Sequence, residues 1–175
     1  MKTFGKICAC SVPVFWALIL FMASVADAEL MPGDSLGSLK VETAEGGSLD
    51  LGDYGKSYIL CSFVPGAGEQ TEQLKNMEEI LKREEFKDFE LLVITRGIDA
   101  GEKKRAADYI ARQQIKAVLL FEPELQAVKK FGVRTFPSFF VVDEKGVMKT
   151  LGIDSVERKI RKRTFEDFLE NGKCR

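Results

Sequence analysis

No histidine occurs anywhere in the 175 residues. Imidazole is therefore excluded as metal ligand, general base or proton shuttle, and Ser-His and Cys-His hydrolysis are excluded with it. Cysteine is scarce and oddly placed. Of the four, Cys8 and Cys10 precede the first apolar run, whereas a lipidated cysteine would follow it, and only Cys61 and Cys174 remain in the body of the chain. Charge of either sign is not in excess, with 26 basic and 27 acidic residues for a net −1, so nothing points to a nucleic-acid partner. The longest apolar run, about Val12 to Val25, is shorter than the roughly 20 residues a spanning helix needs.

The opening MKTFGKICACSVPVFWALILFMASVADAEL has two lysines, that apolar run, and the small-residue site Ala26-Asp27-Ala28. Residues 1–28 thus read as a secretory signal cleaved after Ala28, giving an exported protein, periplasmic or extracellular, that would touch a membrane only through an uncleaved signal. Without Lys2, Lys6 and Asp27 the remainder, 29–175, carries 24 basic and 26 acidic residues, net −2. Its 147 residues fit one domain, undivided by linker, repeat or low-complexity tract. In an oxidising compartment Cys61 and Cys174 could pair, as a staple rather than a catalytic couple.

LKVETAEGGSLDLGDYGKS, 39–57, alternates short apolar segments with glycine turns, as a hairpin feeding a sheet would. YILCSFV reads as a buried strand. From Glu69 the residues Leu74, Met77, Ile80 and Leu81 make one helical stripe. ELLVITRG, 90–97, is a second buried strand, and Asp99 with Glu102 forms a capping pair opening a helix through Ala106, Tyr109 and Ile110. AVLLFEP is a shorter strand, and ELQAVKKFG a short helix stopped by Gly132. SFFVVDEKGVMKTLG reads as two strands about a tight turn from Asp143 to Gly146, and Phe165, Phe168 and Leu169 as one face of a closing helix. Strands separated by helices give an α/β sheet with helices on both faces.

The stretch CSFVPGAGEQTEQL, 61–74, carries the chemical question. It runs from a strand through a Gly-rich turn into a helix, where backbone N–H groups and the helix dipole would favour thiolate, yet the turn holds no cysteine. PGAGEQT also suggests a phosphate loop, but the lysine of that motif is missing and Glu69 occupies the positive helix end. Neither nucleotide, other cofactor nor metal is expected.

VRTFPSFFVVDEKGVMKTLG, 133–152, resembles the second half of a thioredoxin fold, and GKSYILCSF, the inserted strand and helix, and FEPELQAVKKFGV flank it in matching order. Together these are similar to the redoxin branch of the thioredoxin-like superfamily: alkyl hydroperoxide reductase/thiol-specific antioxidant proteins and periplasmic thiol-disulfide oxidoreductases. The resemblance covers about 32–153. It implies a thioredoxin-like fold, a central mixed sheet flanked by helices, with an N-terminal hairpin and an inserted strand-helix. It also implies a cis Pro137 beside the active-site turn, pairing with an extended substrate. Read without gaps from Phe63, the family's Cys-x-x-Cys falls on Gly68-Glu69-Gln70-Thr71; with the helix stripes aligned it falls on Ala67-Gly68-Glu69-Gln70. The peroxidatic cysteine would lie in the same turn.

Family likeness therefore supports the fold better than the activity. The preferred reading is a redox-silent binding or assembly module for a protein or peptide of the cell envelope. Its groove would be formed by Pro65, Gly66, Ala67, Gly68, Glu69, Gln70 and Thr71 opposite Thr135, Phe136 and Pro137. The alternative is a thiol-disulfide oxidoreductase or peroxiredoxin-like enzyme using Cys61 or Cys174. Cys61 itself reads as a buried hydrophobe of raised pKa, and Cys174 as an exposed thiol. ERKIRKR, 157–163, reads as a solvated helix face.

Overall fold

The computed structural model describes residues 29–150, 153–154 and 169–170. The leader 1–28, the ERKIRKR cluster, Cys174 and most of the expected closing helix lie outside the described residues. Leu169 lies within them and is buried in the core.

Among the described residues seven strands make one mixed sheet. In chain order they are β1 (Lys40–Thr43), β2 (Ser48–Asp50), β3 (Ser57–Ser62), β4 (Phe89–Thr95), β5 (Val118–Phe121), β6 (Ser138–Val142) and β7 (Ile153–Asp154). Their spatial order is β2-β1-β5-β4-β3-β6-β7. The N-terminal hairpin β1-β2 sits at one edge, with β1 antiparallel to β5. β3, β4 and β5 run parallel at the centre, each joined to the next through a helix. β6 returns antiparallel to β3.

Period-two alternation sends successive β3 side chains to opposite faces. Ile59 and Cys61 join the core shared with α1 (Gly68–Leu81) and α2 (Ala100–Arg112), which contribute Leu74, Met77, Ile80, Ala106 and Ile110. Tyr58 and Leu60 join a second core with Leu36, Leu51 and the short helix α3 (Gln126–Lys130). The fully buried Tyr58 keeps its hydroxyl satisfied by donating to the Leu51 carbonyl at 2.7 Å. Central strands covered on both faces explain why YILCS and LLVI read as continuous apolar runs rather than alternating ones.

The expected capping pair forms: Asp99 accepts the Glu102 N–H at 2.7 Å, and Glu102 Oε2 accepts the Ile98 N–H at 2.9 Å. After β6 the expected second strand returns antiparallel but interrupted. Asp143 closes the turn by accepting the N–H groups of Lys145 and Val147, but pairing to the next segment is reduced to a bridge between Val142 and Met148. The Asp143 N–H donates to the Val147 carbonyl and the Lys149 N–H to the Val141 carbonyl, which leaves the Met148 amide and carbonyl facing outward, where they bond the Asp34 carbonyl and the Gly33 N–H of the N-terminal segment. Regular pairing with β6 resumes only at β7.

Candidate functional site

Because β3, β4 and β5 are parallel, the loops leaving them gather at one sheet edge, and because β6 is antiparallel to β3 its entering segment lies there too. Register fixes the neighbours: Ser62 stands beside Ile94 and Ser138, and Thr95 beside Phe121. Such carboxyl-end edges are where α/β sheets place ligand sites. A cleft of about 600 Å³ opens at this edge. Phe63, Ala106 and Tyr109 line it from the core side, Pro65 and Gly66 from the β3 turn, and Phe136 from the segment entering β6. The Phe136–Pro137 bond is cis, as the sequence resemblance implies.

The turn holds its shape without a thiol. Gly66 takes φ +99°, a conformation glycine adopts freely. Gln70 folds back so that its Oε1 accepts the Val64 N–H at 3.0 Å. Ala67 is the N-cap of α1 with no side-chain cap, and Gly68 is its first helical residue, exposed, with open space where a Cβ would stand. Thr71 is buried, hydrogen-bonded to the Tyr109 hydroxyl and the Ala67 carbonyl.

The anticipated groove is thus only partly assembled. Pro65, Gly66 and Phe136 line the cleft, whereas Ala67, Gly68 and Glu69 sit at the start of α1 outside it. Gln70 and Thr71 are committed to the turn and to Tyr109. Pro137 is buried, the Thr135 carbonyl accepts from Ser138 Oγ at 2.7 Å, and Thr135 Oγ1 is buried with no hydrogen-bond partner among the described residues. Arg96, Gly97, Arg105, Arg112 and Glu122 also line the cleft, beyond the residues expected from the sequence. Their signal in the sequence is position: each follows a parallel strand or lies on the helix that begins just beyond one.

Gly97 adopts φ +54°, and a Cβ there would lie 2.5 Å from Phe121 Cδ1, so the loop after β4 tolerates only glycine without rearrangement. Glu122 is buried at the foot of α3, where its carboxylate accepts the Ala127 and Val128 N–H groups. Burial pushes its pKa up, with those two donors opposing.

Cys61 is fully buried in β3 between Val93 of β4 and Phe139 of β6, and burial pushes its thiol well above the ordinary range. As placed here, Cys61 has neither the access nor the thiolate character that thiol exchange requires. A larger hollow of about 930 Å³ lies at the opposite edge, near Lys56, Glu90 and Asp143. Lys56 pairs there with Glu90 and Lys149 with Asp143. Among the described residues no cluster of acids and cysteines could hold a metal, and no helix is long and apolar enough to cross a membrane.

The sequence model of the AhpC/TSA family matches residues 32–151. No curated protein matches the sequence. Among solved structures, a cysteine-to-serine mutant of PrxQ from Xylella fastidiosa superimposes with a TM-score of 0.65 at 16% identity, covering 82% of this chain and 96% of that one. The exposed lipoprotein thioredoxin Etrx1 of Streptococcus pneumoniae gives 0.60 at 20% identity over 77% and 98% of the two chains. A secreted Mycobacterium tuberculosis disulfide oxidoreductase homologous to E. coli DsbE gives 0.59 at 10% identity over 77% and 94%. At these identities the likeness is one of fold.

Proposed function

The chain belongs to the AhpC/TSA family, and from that premise we propose that it is an exported, redox-silent member which docks an extended segment of an envelope protein at the cleft between the β3 turn and Phe136. The observation that carries this reading is Gly68: the first residue of α1, where helix amides would stabilise a thiolate, has no side chain, while the neighbouring cleft is intact. Thiol exchange needs an accessible thiolate and usually a second thiol for release. With Cys61 sealed in the sheet, neither is supplied by the described residues. An extended segment seated in the cleft would draw affinity from main-chain hydrogen bonds and specificity from side-chain pockets.

Export rests on the lysines, apolar run and Ala26-Asp27-Ala28 of the leader. Names among the structural neighbours, a secreted oxidoreductase and an exposed lipoprotein, support it by analogy. N-terminal sequencing of the mature protein should begin at Glu29; an intact Met1 on a cytosolic product would remove export from the proposal. Insulin reduction and hydroperoxide consumption should not exceed free cysteine, and crosslinking from a photoreactive residue at Phe136 in cells should capture an envelope protein. Turnover comparable to a dithiol enzyme would overturn the redox-silent reading.

A further inference from the structure

Three exposed arginines line the cleft: Arg96 on the loop after β4, and Arg105 and Arg112 on α2. The latter two are seven residues apart, two turns and about 10 Å along one face, with Tyr109 between them. Among the described residues no ion pair reaches any of the three. Arg112 spends one N–H on the Asp108 carbonyl and keeps the rest of its fork.

The carboxylates that share the cleft are already committed to backbone amides. Glu102 accepts from Ile98, and Glu122 from Ala127 and Val128. Three arginines against two carboxylates leave the lining one formal positive charge in excess, with no ion pair between them among the described residues, on a chain whose formal net charge is −1. Bulky apolar side chains stand beside it: Val64 and Phe136 line the cleft at 46% and 37% exposure, and Ile98, 50% exposed, follows Gly97. Arginine forks pair with carboxylates in a bidentate geometry that lysine cannot match, and complementary charge selects partners and speeds encounter.

We infer that the occupant of this cleft is an extended peptide segment of a partner protein carrying aspartate or glutamate close to a bulky apolar residue. Its carboxylates engage Arg96, Arg105 and Arg112 while the apolar side chain lies against Val64 and Phe136. The inference rests on the docking reading above and adds the chemical class of the segment.

The test is fluorescence anisotropy with three labelled peptides that share their apolar residues and differ only in carrying paired aspartates, asparagines or lysines. The aspartate peptide should bind about tenfold more tightly than the asparagine peptide at low ionic strength, with the advantage shrinking as salt rises. The double reversal R105E/R112E, at two exposed positions and checked for fold by circular dichroism, should abolish that advantage, leave the asparagine peptide unchanged and favour the lysine peptide. K116E, an exposed reversal outside the cleft, should change nothing. Equal binding of aspartate and asparagine peptides, or an aspartate preference that survives R105E/R112E, overturns the acidic-segment inference while leaving docking intact. A dimer broken by R105E/R112E makes a second copy the occupant and overturns it as well. Binding of none of the peptides removes the docking reading and this inference together.

Discussion

Gln70 Oε1 accepts the Val64 N–H at 3.0 Å, tying the first turn of α1 back to the end of β3. The strand-turn-helix geometry that would activate a thiol is therefore held by an amide side chain, independently of any cysteine. Installing a thiol tests whether the site is silent only for want of one.

In Gly68→Cys the new side chain enters open space at the helix start, and its thiol should titrate below the reference value of about 8.5. Adding Thr71→Cys places two thiols three residues apart on one helix face, a spacing of about 5 Å between Cα atoms that a disulfide accepts. The double variant should gain insulin-reducing turnover over the wild type. Iodoacetamide kinetics giving a Gly68→Cys thiol at or above the reference would mean the turn lacks the expected field.

Cys61 should resist Ellman's reagent in the native protein and react on unfolding. Cys61→Ser puts a hydroxyl among Val93, Phe139 and the α1 side chains and should cost about 1 to 3 kcal/mol in urea denaturation. Rapid labelling of Cys61 in folded protein, read by peptide mass analysis, would contradict its burial.

Glu122 gives a pH signature of known sign. Its folded pKa is raised by burial, so its contribution to stability is fully present below the unfolded value and is lost as pH climbs through the folded value. The stability of wild type relative to Glu122→Gln should therefore fall as pH rises above the ordinary glutamate value of 4.5 toward neutrality. Denaturation series at several pH values measure it, and a constant or rising difference contradicts the assignment.

Gly97→Ala should destabilise the fold by about 2 kcal/mol or more, because a left-handed non-glycine backbone costs roughly 1 to 2 kcal/mol and the new Cβ must displace the Phe121 ring. Peptide affinity should fall with it, since Gly97 lines the cleft. A variant of unchanged melting temperature would show that the loop relaxes without strain.

The scaffold is legible where the determinants are local. Leu74, Met77 and Ile80 recur at helical steps, Asp99 and Glu102 cap a helix within one turn, and Gly132 stops another at φ +62°. The far wall of the cleft is not legible, because Arg105 and Arg112 become neighbours of Pro65 only through the parallel pairing of β3 with β4. As sequence they are polar residues on an amphipathic helix. Glu122 escapes for a similar reason: its burial follows from the fold of α3 over it. The returning strand after Asp143 is legible as sequence, but its outer neighbour is not, because the Met148 amide bonds Asp34, a partner no local pattern reveals.

The bond between Tyr109 and Thr71 has an optical consequence. The sole tryptophan is Trp16, so a chain cleaved after Ala28 emits through Tyr54, Tyr58 and Tyr109 alone. Tyr58 is sealed in the second core, and Tyr54 donates to Glu90 toward the opposite edge, which leaves Tyr109 as the fluorophore on the cleft wall. The wild-type protein thereby carries its own reporter at the site, and an added cleft occupant can be followed in tyrosine emission without attaching a dye to the protein.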